Sequence, residues 1–253
     1  MVFASLAGAQ DTVRLYAAGS LRAAIGEIAA VYEAAGQAKV AATFGASGLL
    51  RGRIEKGEAA DVFASADIGN PRRLEAAGRA GAVRTFARNQ LCALASPAAA
   101  ASTENVLERM LDPRVRLGTS TPKADPSGDY AWELFRKADA LRPGAFAALS
   151  AKARQLVGGP DSPLPPGNRS VYGWMMEKGE ADLFLTYCTN ARQARSELPR
   201  LEVVALPGAL AVGAEYGIAV VSGAGPAAQR FVDFILSPTG QEILERHGFG
   251  RAS

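Results

Sequence analysis

Histidine and cysteine are nearly absent from this chain: one His247 and two cysteines, Cys92 and Cys188, stand in 253 residues. A zinc site needs several such side chains at ligand spacing, and a Ser-His-Asp triad needs a base beside its nucleophile. Neither has material to work with here. The two cysteines sit far apart in strand-like apolar runs, so buried free thiols are the first expectation and a long-range disulfide the alternative. Aromatic residues make up only 7%, and the formal charge of +3 forms no basic stripe interleaved with them. That pattern speaks against a nucleic-acid partner. No apolar run reaches the roughly 18 residues that span a bilayer. What is present is the composition of a globular chain able to bury a core, with 48% hydrophobic and 21% charged residues.

Residues 1–9 are small and apolar, and Ala7-Gly8-Ala9 has the small-x-small form of a signal-peptidase site. They read as the remnant of a secretory signal, with a mature chain starting near Gln10 in an oxidising, periplasmic compartment. Beyond them, short β-type runs alternate with helical periodicity, the signature of an α/β fold. Strands are expected at 13–17, 40–44, 61–64, 91–95, 115–118, 183–187, 203–206 and 217–221. Helices are expected between them and at 227–236 and 241–246. No repeat of fixed period is evident. The stretch from Gly158-Gly159-Pro160 to Pro165-Pro166-Gly167 excludes regular structure and reads as a surface loop beside a site rather than a domain linker.

Four turns rich in Gly, Ser or Pro open directly into helices: Ala18-Gly19-Ser20-Leu21, Gly45-Ala46-Ser47-Gly48, Asp125-Pro126-Ser127-Gly128 and Gly167-Asn168-Arg169-Ser170. A helix start leaves backbone N–H groups unpaired and carries partial positive charge, so several such ends converging form a cup for an anion. Ser is also an ordinary N-cap, which makes any single one of these turns unspecific.

Ala17-Ala18-Gly19-Ser20-Leu21, Phe44-Gly45-Ala46-Ser47-Gly48-Leu49-Leu50 and Ala60-Asp61-Val62-Phe63-Ala64-Ser65-Ala66-Asp67 resemble, in order and spacing, successive motifs of the periplasmic molybdate-binding proteins. Pro126-Ser127-Gly128 before Tyr130-Ala131 is similar to that family's second-lobe anion loop. Gly179-Glu180-Ala181-Asp182 leading to Tyr187 is similar to its late ligand segment. The resemblance implies a type II periplasmic-binding fold, two α/β lobes joined by two crossover strands with a ligand cleft between them. It implies crossovers at 90–96 and 215–221, a first lobe built from 10–89 and 215–253, and a second from 90–214. It also implies a ligand set: Ser20 and Ser47 from the first lobe; Ser127, the Arg169 backbone N–H and the Tyr187 hydroxyl from the second. Molybdate or tungstate is the implied ligand, carried as cargo with no cofactor. An ABC permease and its ATPase are the implied partners, and the protein itself is expected to be a monomer. Arg169 stands where the family tends to a small apolar residue, which keeps open a different oxyanion or a small organic anion neutralised by that arginine.

Asp61 and Asp67 are expected in strand-end and capping roles, and Trp132, Trp174, Met175 and Met176 in core packing. Arg22, Arg51 and Arg53 stand just inside helix starts, where they either attract anions or are plain solvated charges. A hydrolase is disfavoured, because Gly45-Ala46-Ser47-Gly48 is followed by Leu49 where a nucleophile elbow needs glycine. A ligand-sensing half of a transcription regulator is disfavoured too, with no DNA-binding helices ahead of Val13.

Overall fold

The computed structural model describes residues 12–167 and 169–252. The expected signal remnant therefore lies outside the described residues, as does Asn168 of the fourth turn. The chain opens with β1 (Thr12–Ala18), a 3₁₀ turn at Gly19–Leu21, α1 (Arg22–Ala34), β2 (Lys39–Gly45), α2 (Ser47–Glu55), β3 (Val62–Ser65) and α3 (Gly69–Ala76). β1 lies between β2 and β3 and pairs with both in parallel. The long β4 (Arg84–Ala95) follows, then α4 (Val106–Leu111), β5 (Leu117–Ser120), α5 (Pro126–Leu141), α6 (Ala145–Lys152) and β6 (Arg154–Val157). Next come α7 (Val171–Glu177), β7 (Leu183–Tyr187), α8 (Cys188–Glu197), β8 (Glu202–Ala205) and β9 (Gly213–Val220). The chain closes with α9 (Pro226–Leu236), α10 (Pro238–Arg246) and β10 (Gly250–Arg251).

Two lobes follow from the pairing. In the first, β2-β1-β3 is a parallel core extended by antiparallel β9 and then by residues 84–90 of β4. In the second, β6-β5-β7 is a parallel core extended by residues 91–95 of the same β4, with β8 on that strand's other side. One strand thus belongs to both sheets, and the expected crossover at 90–96 falls where it changes sheet. The expected second crossover at 215–221 is corrected: β9 pairs along its length with β3 and β4 inside the first sheet, and the chain returns through the segment just before it, where Leu91 N–H meets Val212 O at 3.1 Å. The resemblance implied a crossover there without fixing its register, and residues 216–219 are instead buried between β3 and β4 as those of a central strand.

Inner and outer strands differ as their sequences do. β3, β5 and β7 are buried throughout, whereas the edge strands β2 and β6 hold mostly exposed and half-buried residues. Ala24, Ile25, Ile28, Ala29 and Tyr32 recur at helical spacing and form the buried stripe of α1. Tyr32 meets Phe231 of α9 edge-on at 5.1 Å, which closes the first lobe with the C-terminal helices. Each fully buried Ile or Phe of this kind contributes about 1.5–3 kcal/mol.

The lobes repeat a device the sequence reading passed over. Glu55-Lys56-Gly57-Glu58-Ala59-Ala60-Asp61 and Glu177-Lys178-Gly179-Glu180-Ala181-Asp182 each run from a helix end into a buried strand. Gly57 and Gly179 stop their helices with φ of +89° and +70°, a conformation glycine adopts at no steric cost. Asp61 then accepts from Arg14 Nε at 2.9 Å, Nη2 at 2.7 Å and backbone N–H at 2.7 Å. Asp182 accepts from the same three groups of Arg116 at 2.9, 2.6 and 2.9 Å. Both carboxyls are held below the usual range by these guanidinium hydrogen bonds. The one-residue difference in spacing hides this repeat from any search at fixed period.

Cys92 and Cys188 form a disulfide, which corrects the expectation of free thiols. Cys92 lies on the second-lobe half of β4 and Cys188 opens α8 beyond neighbouring β7, so the sheet brings together residues 96 apart in sequence. Sequence spacing carries no trace of that proximity.

Candidate functional site

Open parallel sheets place ligands at the carboxyl ends of their strands, where loops lead into helices. All six parallel-core strands obey this here. A cavity of about 370 Å³ is lined by residues that follow β1, β2 and β3 in one lobe and β5, β6 and β7 in the other. Its first-lobe wall includes Ser20, Ser47 and Ala66; its second-lobe wall includes Asp125, Tyr172 and Tyr187. The glycine- and proline-rich loop, from Gly158 to Pro165, forms one flank, so it does stand beside the cavity.

The two first-lobe helix starts on the cavity wall, after β1 and β2, carry no side-chain cap. The 3₁₀ turn at Gly19–Leu21 begins after Ala18 and α2 after Ala46, and neither residue has a capping side chain. Among the first-turn groups of α2, Gly48 N–H donates across the cleft to Ala124 O at 2.9 Å, while Ser47 and Leu49 line the cavity. The Ser47 hydroxyl accepts from Ala66 N–H at 3.1 Å, which leaves its own proton to be donated elsewhere. The Ser20 hydroxyl lies 2.9 Å from the hydroxyl of Tyr216. Arg22, also on the wall, stacks its guanidinium 4.7 Å from the centre of the Phe44 ring. Arg53, by contrast, is bound to Glu58, and Arg51 pairs with Glu55 at 3.3 Å.

Two second-lobe starts at the cavity are closed by side chains, whereas α8, which begins after Tyr187, has no side-chain cap. Asp125 caps α5 by accepting from Ser127 N–H at 3.0 Å, and Ser170 caps α7 by accepting from Gly173 N–H at 3.3 Å. Burial pushes the Asp125 carboxyl up to about 6, with Asp129 and Asp67 adding to it and the Ser127 N–H opposing it.

Four of the five residues singled out in the sequence line the cavity: Ser20, Ser47, Arg169 and Tyr187. Ser127 is not among its lining residues; it is fully buried, and its hydroxyl has no hydrogen-bond partner among the described residues. The Arg169 side chain reaches Glu177 at 2.7 Å, so a glutamate of α7 already balances its charge. Tyr187 donates its one proton to Ala66 O across the cleft at 3.1 Å. Burial holds this phenol neutral, far above its usual range. Asp67, as expected of a capping residue, accepts from Asn70 N–H at 2.9 Å and from the Ser65 hydroxyl at 2.8 Å.

Sequence reasoning missed several lining residues, Asp125, Tyr172 and Asn190 among them. Asp125 was visible only as part of a turn, and the capping role of an Asp before Pro-Ser-Gly was the available signal. Tyr172 and Asn190 sit in helical stretches where nothing in the periodicity distinguishes a cavity-facing position from a core one.

The model of the bacterial extracellular solute-binding protein family matches residues 13–250. An uncharacterised protein of Pasteurella multocida (strain Pm70) is 38% identical over 94% of this chain and 98% of its own length. The molybdate-binding protein ModA of Escherichia coli (strain K12) is 28% identical over 95% of this chain and 89% of its own. Among solved structures, the sulfate-binding protein SubI of Mycobacterium tuberculosis superposes with a TM-score of 0.77 at 16% identity, covering 96% of this chain and 88% of its own. PEB3 of Campylobacter jejuni with L-phospholactate bound superposes with a TM-score of 0.71 at 15% identity, covering 95% and 100%. Those two likenesses speak for the fold.

Proposed function

Because the chain belongs to the bacterial extracellular solute-binding protein family, we propose that it captures a small tetrahedral oxyanion between its lobes and delivers it to the permease of an ABC importer. It acts in the periplasm as a monomer, and an ATPase beyond the permease supplies the energy. Molybdate or tungstate is the leading ligand. The observation that carries the oxyanion is the pair of uncapped first-lobe helix starts, at Ser20 and Ser47, opening into one cavity. Their N–H groups and hydroxyl protons make a donor-only wall, which suits a fully deprotonated dianion that has only acceptors to offer. The naming of the E. coli relative for molybdate supports the same choice.

In this account residues through 90 together with those from 213 onward form the first lobe and 91–212 the second, and ligand binding draws them together by hinge bending. Ser20, Ser47 and the Arg169 backbone N–H serve as donors, a reading supported by the position of all three residues on the cavity wall. Ser127 must turn its hydroxyl outward to join them, and Tyr187 must release Ala66.

Asp125 favours a second reading. A carboxylate on the wall repels a bare dianion but accepts from a ligand that carries its own proton or hydroxyl, such as hydrogen phosphate or a small organic anion. The cavity volume of about 370 Å³ falls within the roughly 300–1,000 Å³ of small-molecule sites, which also leaves room for an organic body. Calorimetric titration of ligand-stripped protein with molybdate, tungstate, sulfate and phosphate separates the two. Heat with the metal oxyanions supports the first reading. Heat with phosphate alone replaces it with the second, and heat with none overturns the tetrahedral oxyanion.

A further inference from the structure

We propose that Asn89, on β4 beside the point where that strand changes sheet, is a positioning residue that fixes the direction of the Ser20 hydroxyl and so makes it an anion donor. The proposal rests on the oxyanion reading of the cleft. Asn89 is 9% exposed, and its orientation is set by its neighbour: Gln90 N–H donates to Asn89 Oδ1 at 2.9 Å. The amide nitrogen must then face the other way, and it lies 2.9 Å from Thr189 Oγ1 and 3.2 Å from the Tyr216 hydroxyl. An amide nitrogen only donates, so the Tyr216 oxygen accepts from it.

Tyr216 is fully buried, and burial holds its phenol neutral with the proton in place. That proton has one acceptor within reach among the described residues, Ser20 Oγ at 2.9 Å. Leaving it unmade would strand a buried donor. Ser20 Oγ therefore accepts, and its own proton points away from Tyr216, on the side where Ser20 lines the cavity. Donation runs in one direction, from Asn89 to Tyr216 to Ser20 to ligand, and each bond polarises the next. Ser47 reaches the same polarity by a shorter route, accepting from the backbone N–H of Ala66. Among the described residues Ser20 has no backbone donor in the corresponding place and depends on two side chains. Asn89 also holds Thr189 of α8, so the head of the relay touches both lobes.

Asn89→Asp reverses the relay while keeping its shape. The Tyr216 hydroxyl then donates its hydrogen bond to the carboxylate, its oxygen accepts from Ser20, and Ser20 turns its lone pairs on the anion. Titration with molybdate and with phosphate is expected to show a fall in affinity of roughly 10–100-fold for whichever anion the wild type binds. Tyr216→Phe alone frees the Ser20 hydroxyl to turn and costs less than about threefold; adding it to Asn89→Asp returns affinity to that level. A role for Asn89 in stability alone predicts that the double variant binds no better than Asn89→Asp, and thermal melts of all four proteins distinguish lost fold from lost donor. Asn89→Ala offers Tyr216 no acceptor, so Ser20 still takes its hydrogen bond and affinity is expected to stay within about threefold of the wild type; a fall of tenfold or more in that variant would make the effect one of packing and overturn the relay. Unchanged binding in Asn89→Asp, or no rescue of it by Tyr216→Phe, overturns the relay. Absence of binding by the wild type overturns instead the oxyanion reading on which it rests.

Discussion

The two lobes are built alike at the base and differently at the cleft. Each base carries a helix stopped by glycine, a Lys-Gly-Glu turn and an Arg–Asp clamp that ties the first strand of the lobe to the third. At the cleft the first-lobe starts after β1 and β2 have no side-chain caps, while Asp125 and Ser170 cap two of the second-lobe starts and leave that of α8 open. The second lobe also holds the disulfide, which bonds β4 to the residue just after Tyr187. Shared elements hold each sheet together, whereas the elements that differ decide what each lobe offers a ligand: free donors from the first, a stapled frame and an acceptor carboxylate from the second.

Breaking the staple is the strongest test of that asymmetry. Replacing Cys92 and Cys188 by Ser is expected to cost about 2–5 kcal/mol, given the long loop the bond closes. Hydrogen exchange checks where the loss falls: amides of β7 and α8 lose protection first, and those of β1 and β3 keep theirs. Uniform loss across both lobes would mean that they unfold as one unit.

Next in size is Gly48→Ala. A Cβ there would stand 2.4 Å from Lys123 O and 2.7 Å from Ala124 O, both backbone atoms of the opposite lobe. The variant folds with a near-normal melting transition but is held open, so affinity falls by about tenfold or more and scattering shows no compaction with ligand. Retained compaction and affinity would remove this contact from the account of closure.

The shared clamps should respond equally. Asp61→Asn and Asp182→Asn are each expected to cost about 1–2 kcal/mol, moderated by the half-exposed arginines. Because both carboxyls are held below their usual range, their stabilisation is present above an unfolded pKa of about 3.9 and is lost as pH falls below it. Asp125 carries the opposite sign. Its carboxyl is pushed up to about 6, so the folded state binds more protons than the unfolded between roughly pH 4 and that value. Its effect is to lower stability as pH rises through this window, and Asp125→Asn removes that slope in denaturant titrations. A variant whose pH profile matches the wild type would show that Asp125 is solvated as an ordinary carboxylate.

The smallest effect is expected at Leu164, 84% exposed and on the cavity wall. Leu164→Ser should change stability by less than about 0.5 kcal/mol. Its use is as a gauge of ligand size: unchanged affinity fits a bare oxyanion seated on the first lobe, and a clear loss fits a ligand with an apolar body.

Much of this was legible in the sequence where local chemistry decides structure. The buried runs of β3 and β7, the helical stripe of α1, the Gly-Ser turns and the broken loop after Gly158 each follow from short-range rules, and each appears where expected. What escaped depends on partners distant in the chain. Cys92 meets Cys188 because β4 lies beside β7. Ser127 looks from its turn like a cavity donor, yet Asp125 two residues earlier lines the cavity while the serine hydroxyl is buried. Asn89 gave no signal at all, since its role depends on Tyr216 and Thr189 arriving from far along the chain.

The central claim is that an anion sits on the open helix starts of the first lobe. Its most direct test is the electron density of crystals grown with molybdate and, separately, with phosphate. The account predicts a tetrahedral anion held by the hydroxyls of Ser20 and Ser47 and the first-turn N–H groups of α2, with Asp125 turned away from molybdate or bonded to a protonated phosphate oxygen. An anion bound through the second lobe alone, or a cleft left without one at saturating concentration, would contradict it.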